Sequence, residues 1–168
     1  TFNGILYSGI GSLWWGVIGV LYFKSVSFVT PLELTIHRTV WTAFLLLFFI
    51  TIYSKWDGVF IILKNFKASL MLMITSILIV TNWYTWIYAV TVNKLIDAAF
   101  GYFIFPILSV FFGILFLKES SNKMKLIAIS LVIVSVIYLL IDIKTTPWIG
   151  LIVAFTWSTY TLIRKKIN

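Results

Sequence analysis

Six long apolar stretches, separated by short polar clusters, run the length of the chain at approximately 3–23, 31–53, 68–90, 96–117, 125–143 and 147–163. Each comes close to the run of about 20 apolar residues that a helix, rising about 1.5 Å per residue, needs to cross about 30 Å of hydrocarbon. The runs 42–52 and 126–141 are apolar on every face, whereas a barrel strand would alternate inward and outward residues over about ten positions. The pattern therefore predicts an all-α, polytopic transmembrane helix bundle of six spans. The sixth span is the shortest, and Thr156, Trp157, Ser158 and Thr159 occupy its centre. Only the connection between the second and third spans is long, which leaves no room for a soluble domain.

Cations set the orientation. Lys55, Lys64 and Lys67 follow the second span, Lys118, Lys123 and Lys125 follow the fourth, and Arg164, Lys165 and Lys166 close the sixth. The alternate connections hold only Lys24, Lys94 and Lys144. Positive residues flanking spans stay cytoplasmic, so nine against three places the N- and C-termini inside.

Charged residues make up 11% of the chain and hydrophobic ones 61%, with a mean hydropathy of +1.07. Soluble domains carry about 25% charged residues, and no water-soluble core could hide this much apolar surface. The formal charge of +8 reports topology and contact with the anionic headgroups of a lipid bilayer, not a nucleic-acid partner. With no cysteine and a single histidine, the chain offers no disulfide, thiol nucleophile, zinc cluster or Fe–S site, so no cofactor is expected. Five acids without metal-ligand spacing also argue against an enzyme. No removable leader is expected before the first span, and Thr1 in place of Met points to a trimmed sequence or a piece of a longer one.

Polar and small residues inside the spans mark where lipid alone is not the neighbour. The first span carries five of the nine glycines, Gly4, Gly9, Gly11, Gly16 and Gly19, with Ser8, Ser12 and Gly16 spaced by four. Such a stripe lets another backbone approach closely or leaves a groove for a ligand, and Trp14 and Trp15 beside it lie too deep for an interfacial belt. In the second span Thr30, Pro31 and Glu33 form a helix start. Glu33 and His37 share a face at i, i+4, and Arg38 follows about 10 Å into the helix. A cation at that depth either serves function or snorkels outward; Asp97, expected at the same outer level, would make an ion pair with it, and Trp41 at i+3 would offer a ring.

Further along, Thr75, Asn82, Trp86 and Asn93 follow the helical repeat with Trp83, Tyr84 and Tyr88 close by. An amide near mid-membrane must face protein or a wet cavity, which leaves Asn82 as an interhelical hydrogen bond or a substrate contact. Pro106 frees the carbonyl of Tyr102, predicting a kink or a half-broken helix in the fourth span.

The runs Leu32-Glu33-Leu34-Thr35-Ile36-His37-Arg38, Asn82-Trp83, Ile87-Tyr88-Ala89-Val90, Asp97 through Pro106 and Phe116-Leu117-Lys118-Glu119, with the tail Tyr160 to Lys166, resemble the RarD-type branch of the EamA permeases in the drug/metabolite transporter superfamily. The resemblance implies a ten-helix carrier of small metabolites or drugs, built as two five-helix repeats of opposite orientation. Residues 1–144 would then be one repeat and 145–168 the first helix of a second, inverted one. Phe105 stands where that family usually places Asn.

The expectation is a multi-pass permease of the inner or plasma membrane that moves a small organic solute by alternating access. Glu33, His37, Arg38 and Asp97 would form a charged vestibule, and Trp14, Trp15, Asn82, Trp83, Trp86 and Tyr102 an aromatic cavity. Coupling to protons through His37, or through Glu33 or Asp97 if desolvated, and exchange without protons are both open to such a carrier. The rival expectation is a half-size structural or regulatory protein, completed by a second half or by a homodimer.

Overall fold

The computed structural model describes residues 2–143 and 147–167. Lys144 and the expected boundary between the two repeats lie outside them. Among the described residues seven helices follow one another. In α1, an α-helix at Phe2–Leu13 runs through a π-helical stretch at Trp14–Gly19 into a last α-helical turn at Val20–Ser25. After it come α2 (Pro31–Ile52), α3 (Trp56–Lys64), α4 (Phe66–Thr91), α5 (Leu95–Leu117), α6 (Lys123–Ile143) and α7 (Trp148–Ile167). The polytopic all-α bundle is as the hydropathy pattern predicts. Among the described residues five helices are long and apolar enough to cross a membrane: Gly4–Ser25, Pro31–Ile52, Phe66–Thr91, Leu95–Leu117 and Lys123–Ile141.

The sixth expected span forms a helix in its expected place, although it is less apolar than those five. The reason lies in its packing. Gly150, Val153, Ala154, Thr156 and Ser158 of α7 are buried against α5 and α4, its principal neighbours. Hydroxyls that would be costly toward lipid are thereby bonded within protein: Thr156 donates to the carbonyl of Ile152 at 2.7 Å and Ser158 to that of Phe105 at 3.4 Å.

The start of α2 is built as its sequence indicates, with Thr30 accepting from the Glu33 amide at 3.3 Å and Pro31 in the first turn. The connection that follows α2 is not a plain loop. Nine residues, too few to span, wind into α3 with Asp57 in the first turn and Lys64 in the last, where both charges complement the helix dipole. Across Pro106, α5 stays one continuous helix instead of breaking in half; a proline removes a single backbone donor, and α7 lies along α5 as a splint.

The tightest contact in the bundle joins α5 to α7. A Cβ on Gly150 would sit 2.5 Å from the carbonyl oxygen of Asp97 and 2.9 Å from the nitrogen of Gly101, and one on Gly101 would run into the carbonyl of Gly150. Further along, Phe105 meets Trp157 and Lys165 reaches Glu119. The pairing rises together in both helices, so α5 and α7 run parallel, and α6 must carry the chain back along the bundle between them. Asn82 meets Thr156 while Lys67 lies near Lys166, which makes α4 antiparallel to α7. The three basic segments thus gather at one end of the bundle.

At that end Glu119 fastens three helices. Lys118 leaves α5 in a left-handed conformation at φ 53°, which turns the Glu119 amide back to the carbonyl of Gly113 at 3.2 Å. Its carboxylate bonds Lys165 of α7 and lies 3.7 Å from Lys125 of α6. The hydrogen bond from Lys165, then the charges of Lys165 and Lys125, hold this carboxyl below the usual carboxylate range.

Two outcomes follow. Gly150→Leu should cost about 1–3 kcal/mol through overpacking and lower the unfolding temperature in detergent, whereas Gly58→Ala, where nothing lies within 4 Å, should gain up to about 1 kcal/mol of helix propensity. Because the folded Glu119 pKa is depressed, its contribution is complete above the unfolded value of about 4.3 and disappears as pH falls through the folded one. Unfolding temperature followed from pH 7 downward should therefore fall more steeply for the wild type than for Glu119→Gln.

Candidate functional site

The residues that converge do so because α4 offers one face to α7 and another to α1. On the first, Asn82 is 1% exposed, and its amide donates to the Val153 carbonyl and to Thr156 Oγ1, each at 2.9 Å. Both amide hydrogens are spent between helices, so Asn82 sits inside protein packing rather than at an open wall. On the other face Trp86, 5% exposed, lies 5.2 Å from Trp15 and 5.4 Å from Phe23, ring centre to ring centre.

The π-helical stretch in α1 sets which indole turns inward. Trp15 packs over the backbone of Gly19, whose hypothetical Cβ would lie 3.5 Å from its ring, while Trp14 is 63% exposed and faces outward. Trp15, Gly19 and Phe23 recur every fourth residue, a pattern in the sequence that could have singled out Phe23 and did not. Such π-turns concentrate at functional sites because the extra residue re-aims neighbouring side chains.

Between α1, α4 and α5 this arrangement leaves a cleft of about 330 Å³. Ser12, Trp15 and Gly16 of α1 line one side, Trp86 the floor, and Leu95, Ala99 and Tyr102 of α5 the other side. A cavity of this size, mainly apolar with a few polar groups, suits a small organic molecule.

Arg38 reaches the same aromatic group from α2. Its guanidinium carbon lies 3.6 Å over the Trp83 ring and 5.4 Å from the centre of Trp15. The expected stacking on Trp41 does not form, since that indole is 68% exposed and packs on Phe44. Nor does the ion pair with Asp97: α2 finds its partner in α4, and among the described residues no carboxylate lies within 4.0 Å of Arg38. Asp97 instead sits in the first turn of α5, its carbonyl against Gly150. Glu33 and His37 face each other at 4.0 Å on an exposed face of α2, apart from the cleft lining. The expected four-residue vestibule is thus divided, and only Arg38 joins the aromatic group.

The electrostatics are one-sided. Placing an arginine in the span costs about 2.5–3.5 kcal/mol on insertion scales, of which a cation–π contact returns about 0.5–2 kcal/mol. The insertion figure is for the centre of a span; Arg38, the eighth residue of α2 and half-buried, leaves its exposed part to water or to an anion.

The Asn82 bonds to α7 give a direct test. Asn82→Ala should cost about 1 kcal/mol, visible as a lower unfolding temperature in detergent; an unchanged temperature would show that this tie carries no weight.

Comparison with known proteins bears on what such a cleft is for. The EamA-like transporter family matches residues 2–141. The chain is 32% identical over its whole length to the uncharacterized transporter YojE of Bacillus subtilis, of which it covers 57%. It is 33% identical over 99% of its length to an uncharacterized transporter of Vibrio cholerae, covering 55% of that protein, and 32% identical over 99% to the protein RarD of Escherichia coli K12, covering 56%. The chain therefore spans a little over half the length of these relatives. No solved structure matches it.

Proposed function

The chain belongs to the EamA-like transporter family, and from that premise we propose that its cleft between α1, α4 and α5 is part of the path of a small organic solute moved by alternating access. It is a multi-pass protein of the inner membrane. In this reading α1 to α6 form one repeat, and α7 is the first helix of a second repeat of opposite orientation; an odd number of crossings in the first inverts the second. Trp15, Trp86 and Tyr102 supply stacking faces for the solute and Arg38 a fixed charge. Asn82 and the pair Gly101 and Gly150 hold the wall in place without touching the solute. The observation that carries the proposal is the aromatic cleft with a guanidinium of a spanning helix beside its Trp15, an arrangement that lipid packing alone would not require.

A second reading draws on α1. Its Gly4, Ser8, Gly9 and Ser12 face is open, and a small-residue face invites another helix. A second half of the same protein would cover it, as would a second copy of the chain in a half-size carrier. The span of the relatives, nearly twice that of this chain, favours the first.

The absence of cysteine makes the test clean. Single cysteines at Ser12 and Ala99, on opposite sides of the cleft, should react with a membrane-impermeant maleimide in proteoliposomes, and transported solute should slow that reaction. Labelling of neither position from either side of the membrane would overturn the proposal.

A further inference from the structure

We propose that Arg38 is the recognition group for an oxyanion on the transported solute, so that the cleft takes small organic anions carrying a carboxylate or phosphate on an aromatic or apolar body. The inference rests on the reading of the cleft as the solute path and adds the charge of what passes. Each acid with a described side chain lies elsewhere: Glu33 faces His37, Glu119 is held by Lys165 and Lys125, Asp57 opens α3, and Asp97 has no cation of the described residues within 4.0 Å. The positive charge among the tryptophans thus has no protein counter-charge among the described side chains.

The manner of contact points the same way. A guanidinium carbon 3.6 Å over an indole uses the face of the planar group, and its N–H donors lie at the edge. Among the described residues none of those donors bonds to protein, which leaves a planar fork whose geometry matches two oxygens of a carboxylate or phosphate. Trp15 is shared, with its ring against Trp86 in the cleft and 5.4 Å from the guanidinium carbon of Arg38, which puts the fork beside the cleft's Trp15, where a solute stacked on that indole would extend its charged end to meet it. A cationic solute in that position would meet a like charge in a medium of low dielectric.

Four probes of similar size separate the possibilities: benzoate, phenyl phosphate, neutral benzamide and benzylammonium, each titrated calorimetrically into the full chain in lipid nanodiscs. At least one oxyanion should bind about tenfold or more tightly than benzamide, with benzylammonium weakest, and the stronger of the two oxyanions identifies the preferred group. Arg38→Gln should bring the oxyanion down to the level of benzamide while benzamide binding persists, and Arg38→Lys should keep part of the preference. Equal or tighter binding of benzamide or benzylammonium to the wild type overturns the inference and leaves the cleft as a solute site. Binding of none of the four overturns both.

Discussion

Apolar surface gives helices no reason to associate in a bilayer, because lipid tails are as apolar as the side chains they would replace. Association depends on close backbone approach, and here that approach is concentrated where Gly101 of α5 meets Gly150 of α7. Any side chain at either position would force the helices apart. With α7 seated there, Val153 and Thr156 stand opposite Asn82, the orientation of α4 about its axis is set, and Trp83 and Trp86 turn toward α1 and α2. The cleft is in this sense downstream of two glycines that do not line it.

Charge follows a different logic. The basic residues gather at one end, where Glu119 takes two of them and ties three helices, while spans are otherwise nearly free of ions. Among the described residues Arg38 lies deepest of the charged groups in a span, and it is accommodated by aromatic faces instead of by the carboxylate that a simple charge-pairing argument would assign. Indoles soften the charge without cancelling it. Full pairing with Asp97 would have made the site neutral; the observed arrangement keeps it positive.

Much of the fold was legible from hydropathy. The apolar runs located the helices to within a few residues, since a bilayer imposes a fixed length on anything that crosses it, and Thr30 with Pro31 marked a helix start through local bonding that needs no tertiary partner. The short helix α3 escaped because nine residues, Trp56–Lys64, fall below spanning length, and α7 looked marginal because hydropathy counts Thr156 and Ser158 as polar without knowing that neighbouring helices bond them. Among candidate site residues, Trp15, Trp83, Trp86, Arg38 and Tyr102 come together around the cleft, whereas Trp14, Glu33 and His37 turn away and Asn82 and Asp97 lie in the packing behind it.

The sequence by itself determined the all-helical class, the membrane setting, the segregation of cations and the stock of aromatic and ionisable groups, because each of these is set by local composition against the thickness of a bilayer. Tertiary structure alone decided which groups meet. The rotation of each helix about its axis and the order of neighbours are fixed by backbone contact between residues distant in the chain, and the difference between Trp14 and Trp15, or between Asp97 and Trp83 as the partner of Arg38, follows only from that rotation.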